Sequence, residues 1–382
     1  MRRRINLLRE FSVPLISGVA AALIWANYAP ERYHDFFHTP SLGPLSFHFL
    51  TNDIFMVFFF GIAAVEITQS FLPGGDLHPV KKAVNPLMAT MGGVIGPAII
   101  YLLLNHFLGS KELLRGWGIP TATDIAFAWL IARMIFGSNH PAISFLLLLA
   151  VADDGIGLAI IAVFYPDPNF PVEPVWLVLT LCGMLAAYGL RKMRAGSYWP
   201  YLLIGGGLSW MGLFKSHLHP ALALVFIIPF LPHRKKEKLH MFEEDMADRS
   251  TIARFEHEWK IIVDFGLFMF GLANAGVEFS RIGTPTWLVV SALMMGKTIG
   301  IFSLGVIAEK LGFPLPHKVR KKELFVVGIV SGIGFTVALF VAGVAFAEPV
   351  IQSAAKMGAM LSCLSALVAI VAGRALKIKK IH

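Results

Sequence analysis

Long apolar runs, separated by short polar breaks rich in glycine and proline, set the pattern of this chain. Twelve runs stand out, near 12–29, 51–70, 83–106, 117–136, 142–165, 173–190, 199–213, 217–231, 258–279, 285–308, 322–347 and 350–376, numbered here as segments 1 to 12. Crossing ~30 Å of hydrocarbon as a helix takes about 20 mostly apolar residues, and a helix satisfies its own backbone where no water can. The pattern predicts an all-α polytopic membrane protein of about 12 transmembrane helices, forming one domain over residues 1–382.

Composition agrees with that pattern. The chain has 382 residues, 56% of them hydrophobic and 15% charged, against roughly 25% charged in an average soluble domain. Its net charge of +9 would suggest nucleic acid in a soluble protein, so the placement of the charges decides the matter. Taking the N-terminus and every second connection, one side collects Arg2, Arg3, Arg4, Arg9, Lys81, Lys82, Arg133, Arg191, Lys192 and Arg194. It also takes the basic run from Arg234, then Arg249, Arg254, Lys260 and Lys310, the lysines and arginines from Lys318 to Lys322, and those from Arg374 onward. The other side has Arg32, Lys111, Arg115, Lys215 and Arg281. By the positive-inside rule both termini are cytoplasmic, and no nucleic-acid partner is needed. The polar loop from His233 to His257 reads as a solvated connector, basic at first and then acidic through Glu243, Glu244 and Asp245. Cys182 and Cys363 lie in apolar runs and indicate neither a disulfide framework nor a zinc site. The basic start before Val13 resembles a signal peptide, but it lacks a small-x-small cleavage site and is read as leading into the first helix.

Charges inside apolar segments carry the chemistry, because each costs about 2.5–3.5 kcal/mol to insert and persists only where something pairs or hydrates it. Asp124 lies near the middle of segment 4, while Asp153 and Asp154 are adjacent in the middle of segment 5. Adjacent helical residues point about 100° apart, so the two aspartates face different parts of the interior. Lys297, midway along segment 10, needs a buried carboxylate. One aspartate of the pair then remains for a mobile cation. Sodium prefers carboxylate, hydroxyl and carbonyl oxygens, which Asp154, Asp124 and Thr123 can supply.

Backbone oxygens would come from broken helices. Pro120 to Asp124 interrupts segment 4, and the run from Ser331 through Gly332 and Gly334 to Thr336 interrupts segment 11. Interrupted segments at corresponding places in two halves point to a transport site, and here they suggest an inverted repeat of segments 3–5 and 10–12. Weaker signals are His217 and His219, an H-x-H at the start of segment 8 that reads as interfacial without a third ligand. Asp53 and Glu66 at the ends of segment 2 read as wet-end acids, and Asp264 lies near the start of segment 9.

The chain resembles the NhaA sodium/proton antiporters over nearly its whole length. The matching stretches are Tyr33 to Phe36, Asn52-Asp53, Ile119 to Ala128, Asp153-Asp154, Lys215-Ser216 with His219, Ala273 to Val277, Gly296-Lys297, and Val326 to Ile329 running into Gly332 to Thr336. The resemblance implies that Asp153 and Asp154 are the essential acid pair and that Lys297 is the partner of Asp153. It implies further that Thr123 and Asp124 form the unwound stretch of segment 4, and that His219 and Glu256 belong to a pH response. Glu66, His257 and Asp264 are further candidates for that response from their charge and place in the chain. An electrogenic transporter in the bacterial inner membrane, often a homodimer, with sodium and protons as substrates, lipid around it and no cofactor, is what the family leads one to expect. NhaA is itself a standard example of an inverted-repeat transporter, and the resemblance implies the same repeat here.

The chain also departs from the family. Ile67-Thr68-Gln69-Ser70 stands where a charged stretch follows the acid of segment 2, Thr298 and Phe268 stand where prolines are usual, and Gly155-Ile156 replaces Leu-Gly. The expected result is an intact ion site with altered pH regulation.

Burial disfavours the charged form of any carboxyl, so a proton and a sodium ion exclude each other at one buried carboxylate. A site open to one side at a time then exchanges the two ions, and Lys297 adds a second titrating group as its pair separates. No enzymatic reaction is expected: the Tyr-Asp and Gly-x-Gly-Asp signatures of intramembrane aspartyl proteases are missing. The competing readings are a cation channel, which gives no reason for a buried lysine, and another cation-coupled secondary transporter.

Overall fold

The computed structural model describes residues 13–39, 46–72, 80–166, 170–232 and 250–381. Arg2, Arg3, Arg4 and Arg9, the basic run from Arg234, Glu243, Glu244 and Asp245, and Arg249 lie outside the described residues, as do the side chains of Lys81 and Lys82. Among the described residues all secondary structure is helical. Six helices are long and apolar enough to cross a membrane: Phe47–Phe71, Ala83–Leu108, Pro141–Phe164, Pro174–Lys192, Thr284–Lys310 and Pro349–Ala375. Two bent pairs raise the number to eight, Lys111–Thr121 with Ile125–Phe136 and Lys321–Ser331 with Phe335–Ala345.

In segment 1 the described part of the helix, Val13–Tyr28, is apolar. Other expected segments differ from ideal spans for local reasons. Segment 8 is a run of 3-10 turns, Pro220–Phe226 and Ile228–Phe230, and Pro229 lacks the backbone donor that would continue an α-helix through it. Segment 9 starts earlier than its hydropathy suggests. Its helix Thr251–Asn274 is opened by Ser250, whose hydroxyl accepts from Ala253 N, and so it carries Arg254, Glu256, Glu258, Lys260 and Asp264.

Small residues bring the helices of the site together. Segments 3 and 10 cross where Gly92 and Gly96 meet Gly296 and Gly300; a Cβ on Gly300 would stand 1.9 Å from the carbonyl oxygen of Gly92. Asn85 fastens the same pair, donating to Gly305 O at 3.2 Å and Phe313 O at 2.7 Å. This crossing holds the helix of Lys297 against the aspartates, since Gly93 lies beside both Ile301 and Asp153.

Segments 4 and 5 are tied at both ends. Tyr165, at the end of segment 5, accepts from Gly118 N at 2.8 Å and donates to Arg115 O at 2.5 Å, which fixes the 3-10 approach to the break in segment 4. At the other end the turn 137–140 is braced by the C-terminal residues: Ile381 N donates to Phe136 O at 2.8 Å, and Asn139 N donates to Ile381 O at 3.1 Å. Gly137, with φ of +85°, suits that turn, and a side chain there would strike the Ile381 backbone.

His140 caps segment 5, its Nδ1 accepting from Ala142 N at 3.1 Å. It sits in the turn outside the spans, where burial lowers its pKa, helped by Lys318 and opposed by Glu323. A histidine whose folded pKa is depressed contributes stability above its ordinary value of ~6.5 and loses it as pH falls through the folded value. His140→Asn keeps a capping acceptor that does not titrate. The expected result is that wild type loses stability relative to the variant on acidification below ~6.5. Parallel melting curves of the two across that range would show that His140 does not titrate.

Candidate functional site

The two breaks cross. Residues 122–124 are extended between the pieces of segment 4, and 332–334 interrupt segment 11. Asp124 N donates to Ile333 O at 2.7 Å, joining the breaks directly. Gly332 and Gly334 allow this approach: a Cβ on Gly334 would lie 2.6 Å from Leu293 and 3.2 Å from Ala122 O, and one on Gly332 would lie 3.0 Å from Leu293 O. Gly334 N is satisfied by the Ser362 hydroxyl at 3.1 Å.

Broken helices leave orphan backbone groups and partial charges at their inner ends. Asp124 meets the two N-terminal ends. Its Oδ1 accepts from Phe127 N at 3.0 Å, opening Ile125–Phe136. Its Oδ2 accepts from Thr336 Oγ1 at 3.1 Å and Thr336 N at 3.4 Å, at the start of Phe335–Ala345. Lys297 meets the opposite ends. Its Nζ donates to Thr121 O at 2.7 Å, the last carbonyl of the 3-10 stretch, and to Thr123 Oγ1 at 2.8 Å. The acid thus lies at the positive ends and the ammonium at a negative end.

Lys297 also forms an ion pair and a hydrogen bond with Asp153 Oδ2, both side chains being fully buried. Thr123 bridges the pair, with its hydroxyl 2.8 Å from Asp153 Oδ2 and 3.0 Å from Ser331 O, the carbonyl that ends the first half of segment 11. Asp154 faces elsewhere, as adjacent positions on a helix must. Its carboxyl makes no ion pair among the described residues, and its buried Oδ1 has no protein hydrogen-bond partner; neither does Asp153 Oδ1. The strongest like charges acting on Asp154 are Asp153 and then Glu66. On one side it borders a crevice with no room for a water molecule, lined by Phe59, Phe60, Ala63, Leu158 and Val337.

Thr123, Asp124, Asp153, Asp154 and Lys297 are therefore gathered around the two breaks with Gly332 and Gly334. The residues expected for a pH response are dispersed. Glu66 is near Asp154, and Glu256 accepts a hydrogen bond from Gln69 at 3.0 Å. His257 is exposed and Asp264 half-buried on the same helix. His219 packs beside Phe340, ring centroids 5.9 Å apart, and His217 stacks on Phe170 at 4.9 Å. Among the described residues no three His, Cys, Asp or Glu side chains converge as a metal cluster, so the H-x-H pair stays without a third ligand. Sequence reasoning placed Ser331 at the break in segment 11 but missed Ser362, whose hydroxyl supports it. It also passed over Lys356, a lysine inside an apolar segment.

The arrangement can hold a cation at a buried carboxylate flanked by a neutralised acid–lysine pair, with carbonyls and hydroxyls freed by unwinding close by. A family profile described as Na+/H+ antiporter 1 matches residues 6–374. The Na(+)/H(+) antiporter NhaA of Geobacter sulfurreducens is 68% identical over 381 residues, covering both chains completely. The protein named Na(+)/H(+) antiporter NhaA 2 from Pelobacter propionicus is 64% identical over 382 residues, again over the whole of both. A relative from Jannaschia sp. is 41% identical over 421 residues, covering all of this chain and 99% of its own. Among solved structures, the sodium proton antiporter MjNhaP1 of Methanocaldococcus jannaschii shares the fold, with a TM-score of 0.53 at 14% identity over 96% of this chain and 92% of its own. From its profile and these full-length relatives, the chain belongs to the NhaA family of Na+/H+ antiporters.

Proposed function

We propose that this protein exports cytoplasmic sodium, or lithium, in exchange for external protons across a bacterial inner membrane. The observation that carries the reading is a buried Asp153–Lys297 pair beside Asp154, a buried carboxyl whose Oδ1 has no protein partner. Sodium takes up Asp154 as its charged ligand, with Thr123 and Asp153 within the same site, and Asp124 holds the two breaks in register. A proton arriving at Asp154 displaces the ion. When sodium draws on Asp153, Lys297 loses its counter-charge and releases a proton, so more than one proton exchanges per sodium and the cycle is electrogenic. Twelve crossings with both termini cytoplasmic follow from the charge asymmetry of the connections. Segments 3–5 and 10–12 form an inverted repeat, which is supported by the bends of 56° and 46° falling in the middle segment of each.

Regulation follows from the departures in segment 2. Gln69 meets Glu256 through a neutral amide, so fewer charges are coupled and pH acts mainly through competition at Asp153 and Asp154. Sodium-driven pH change in everted vesicles tests both parts. Sodium should discharge a preformed pH gradient, and raising sodium should move the onset of activity to lower pH. No sodium-dependent proton movement would end the transport reading. A steep onset at fixed pH whatever the sodium would instead require a separate sensor, with Glu256, His257 and Asp264 as the first residues to replace.

A further inference from the structure

A second buried charge lies away from the acid pair. Lys356, on Pro349–Leu361, is 7% exposed. The hydrogen bond it makes is to Asn274 Oδ1 at 3.5 Å, and among the described residues it forms no ion pair. Asn274 ends the helix of segment 9 and is paired with Asn52 of segment 2, donating to its Oδ1 at 2.8 Å. Asn52 Nδ2 in turn lies 2.9 Å from His48 Nε2. Gly343 leaves the space on segment 11 where Lys356 and Asn274 meet. Gln352, one turn before the lysine, is committed to Gly343 O and Phe346 O.

This polar cluster is separated from Asp154 by an aromatic layer. Phe60, which lines the Asp154 crevice, packs on Phe340 with centroids 5.1 Å apart. Phe340 packs on Phe270 at 6.5 Å, and the Phe270 carbonyl accepts from Asn274 Nδ2 at 3.1 Å. With both termini cytoplasmic, the layer and the cluster lie on the external side of the site. Lys356 then stands ~10 Å along its helix from the external end.

We infer that Lys356, held by Asn274 and through it by Asn52, is in its protonated form a positive charge beside the outer passage that weakens external sodium binding and so limits recapture of the exported ion. This inference rests on the proposed exchange activity and orientation. A unit charge about 10 Å from a passing cation, at an effective dielectric constant of ~20, lowers its local occupancy roughly tenfold. The effect is one-sided. From the cytoplasmic face sodium reaches Asp154 before it meets the aromatic layer.

The test is sodium affinity measured separately on the two faces, in proteoliposomes of uniform orientation, for wild type, Lys356→Met and Lys356→Arg. Lys356→Met should lower the half-saturating external sodium concentration about tenfold, with the cytoplasmic value within about twofold of wild type. Lys356→Arg keeps the charge and should keep the wild-type asymmetry. Asn52→Asp places a compensating negative charge in the same cluster and should shift the external value in the same direction, which carries the test should Lys356→Met not insert. An unchanged external value in these variants, or equal shifts on both faces, would overturn the inference. Wild-type protein that exchanges no sodium for protons would instead overturn the proposed function.

Discussion

Asn in place of Asp154 is expected to reduce sodium–proton exchange to the background of vesicles lacking the protein, with insertion and melting unaffected. Asn has the size of Asp but can carry neither a negative charge to hold sodium nor a proton to replace it. The folded state should not suffer, because no protein group donates to the buried Oδ1 of this carboxyl. Like charges at Asp153 and Glu66 act on it, so removing its charge relieves repulsion. Initial rates of sodium-driven pH change, measured beside melting in detergent, separate the two effects. Full exchange by Asp154→Asn would remove this residue from the mechanism.

Asp153→Asn should instead cost stability. Lys297 would keep Thr123 and the Thr121 carbonyl but lose its only ion-pair partner among the described residues. Breaking a buried pair on one side typically costs about 3–5 kcal/mol, because the charge left behind is uncompensated. Removing both charges in the double variant Asp153→Asn with Lys297→Gln should recover most of that loss, since no lone ammonium remains. Denaturation in detergent can compare wild type, the single variant and the double variant. Equal stability of wild type and Asp153→Asn would show that water already shields the pair.

Much of this site was legible in the sequence because a bilayer makes polar residues expensive. Mid-segment acids and a mid-segment lysine had to find one another, and Pro120 and the glycines of segment 11 marked where the helices break. Which aspartate pairs with Lys297 was not decided by spacing, since the 100° turn between neighbours allows either one; the resemblance supplied Asp153, and the structure pairs Lys297 with it. Hydropathy also could not show that Asp124 sits between two helix ends, because Thr336 is 212 residues away in the chain. The early start of segment 9 was hidden because its first turns are charged. Lys356 is hidden because it lies near the start of its segment, where a long lysine side chain can ordinarily reach the interface and hydropathy gives no sign of burial.

The ion pair of the site also has a history in time. Lys297 follows Asp153 by 144 residues. At roughly 5–20 residues per second of synthesis, the ammonium emerges about 7 to 30 seconds after the acid it will neutralise. Thr336, which binds Asp124, arrives later still. The half of the molecule that carries the three acids is thus made and inserted long before either partner exists. Closure of the site belongs to the last stage of assembly, when segments 10 and 11 dock against a waiting first half.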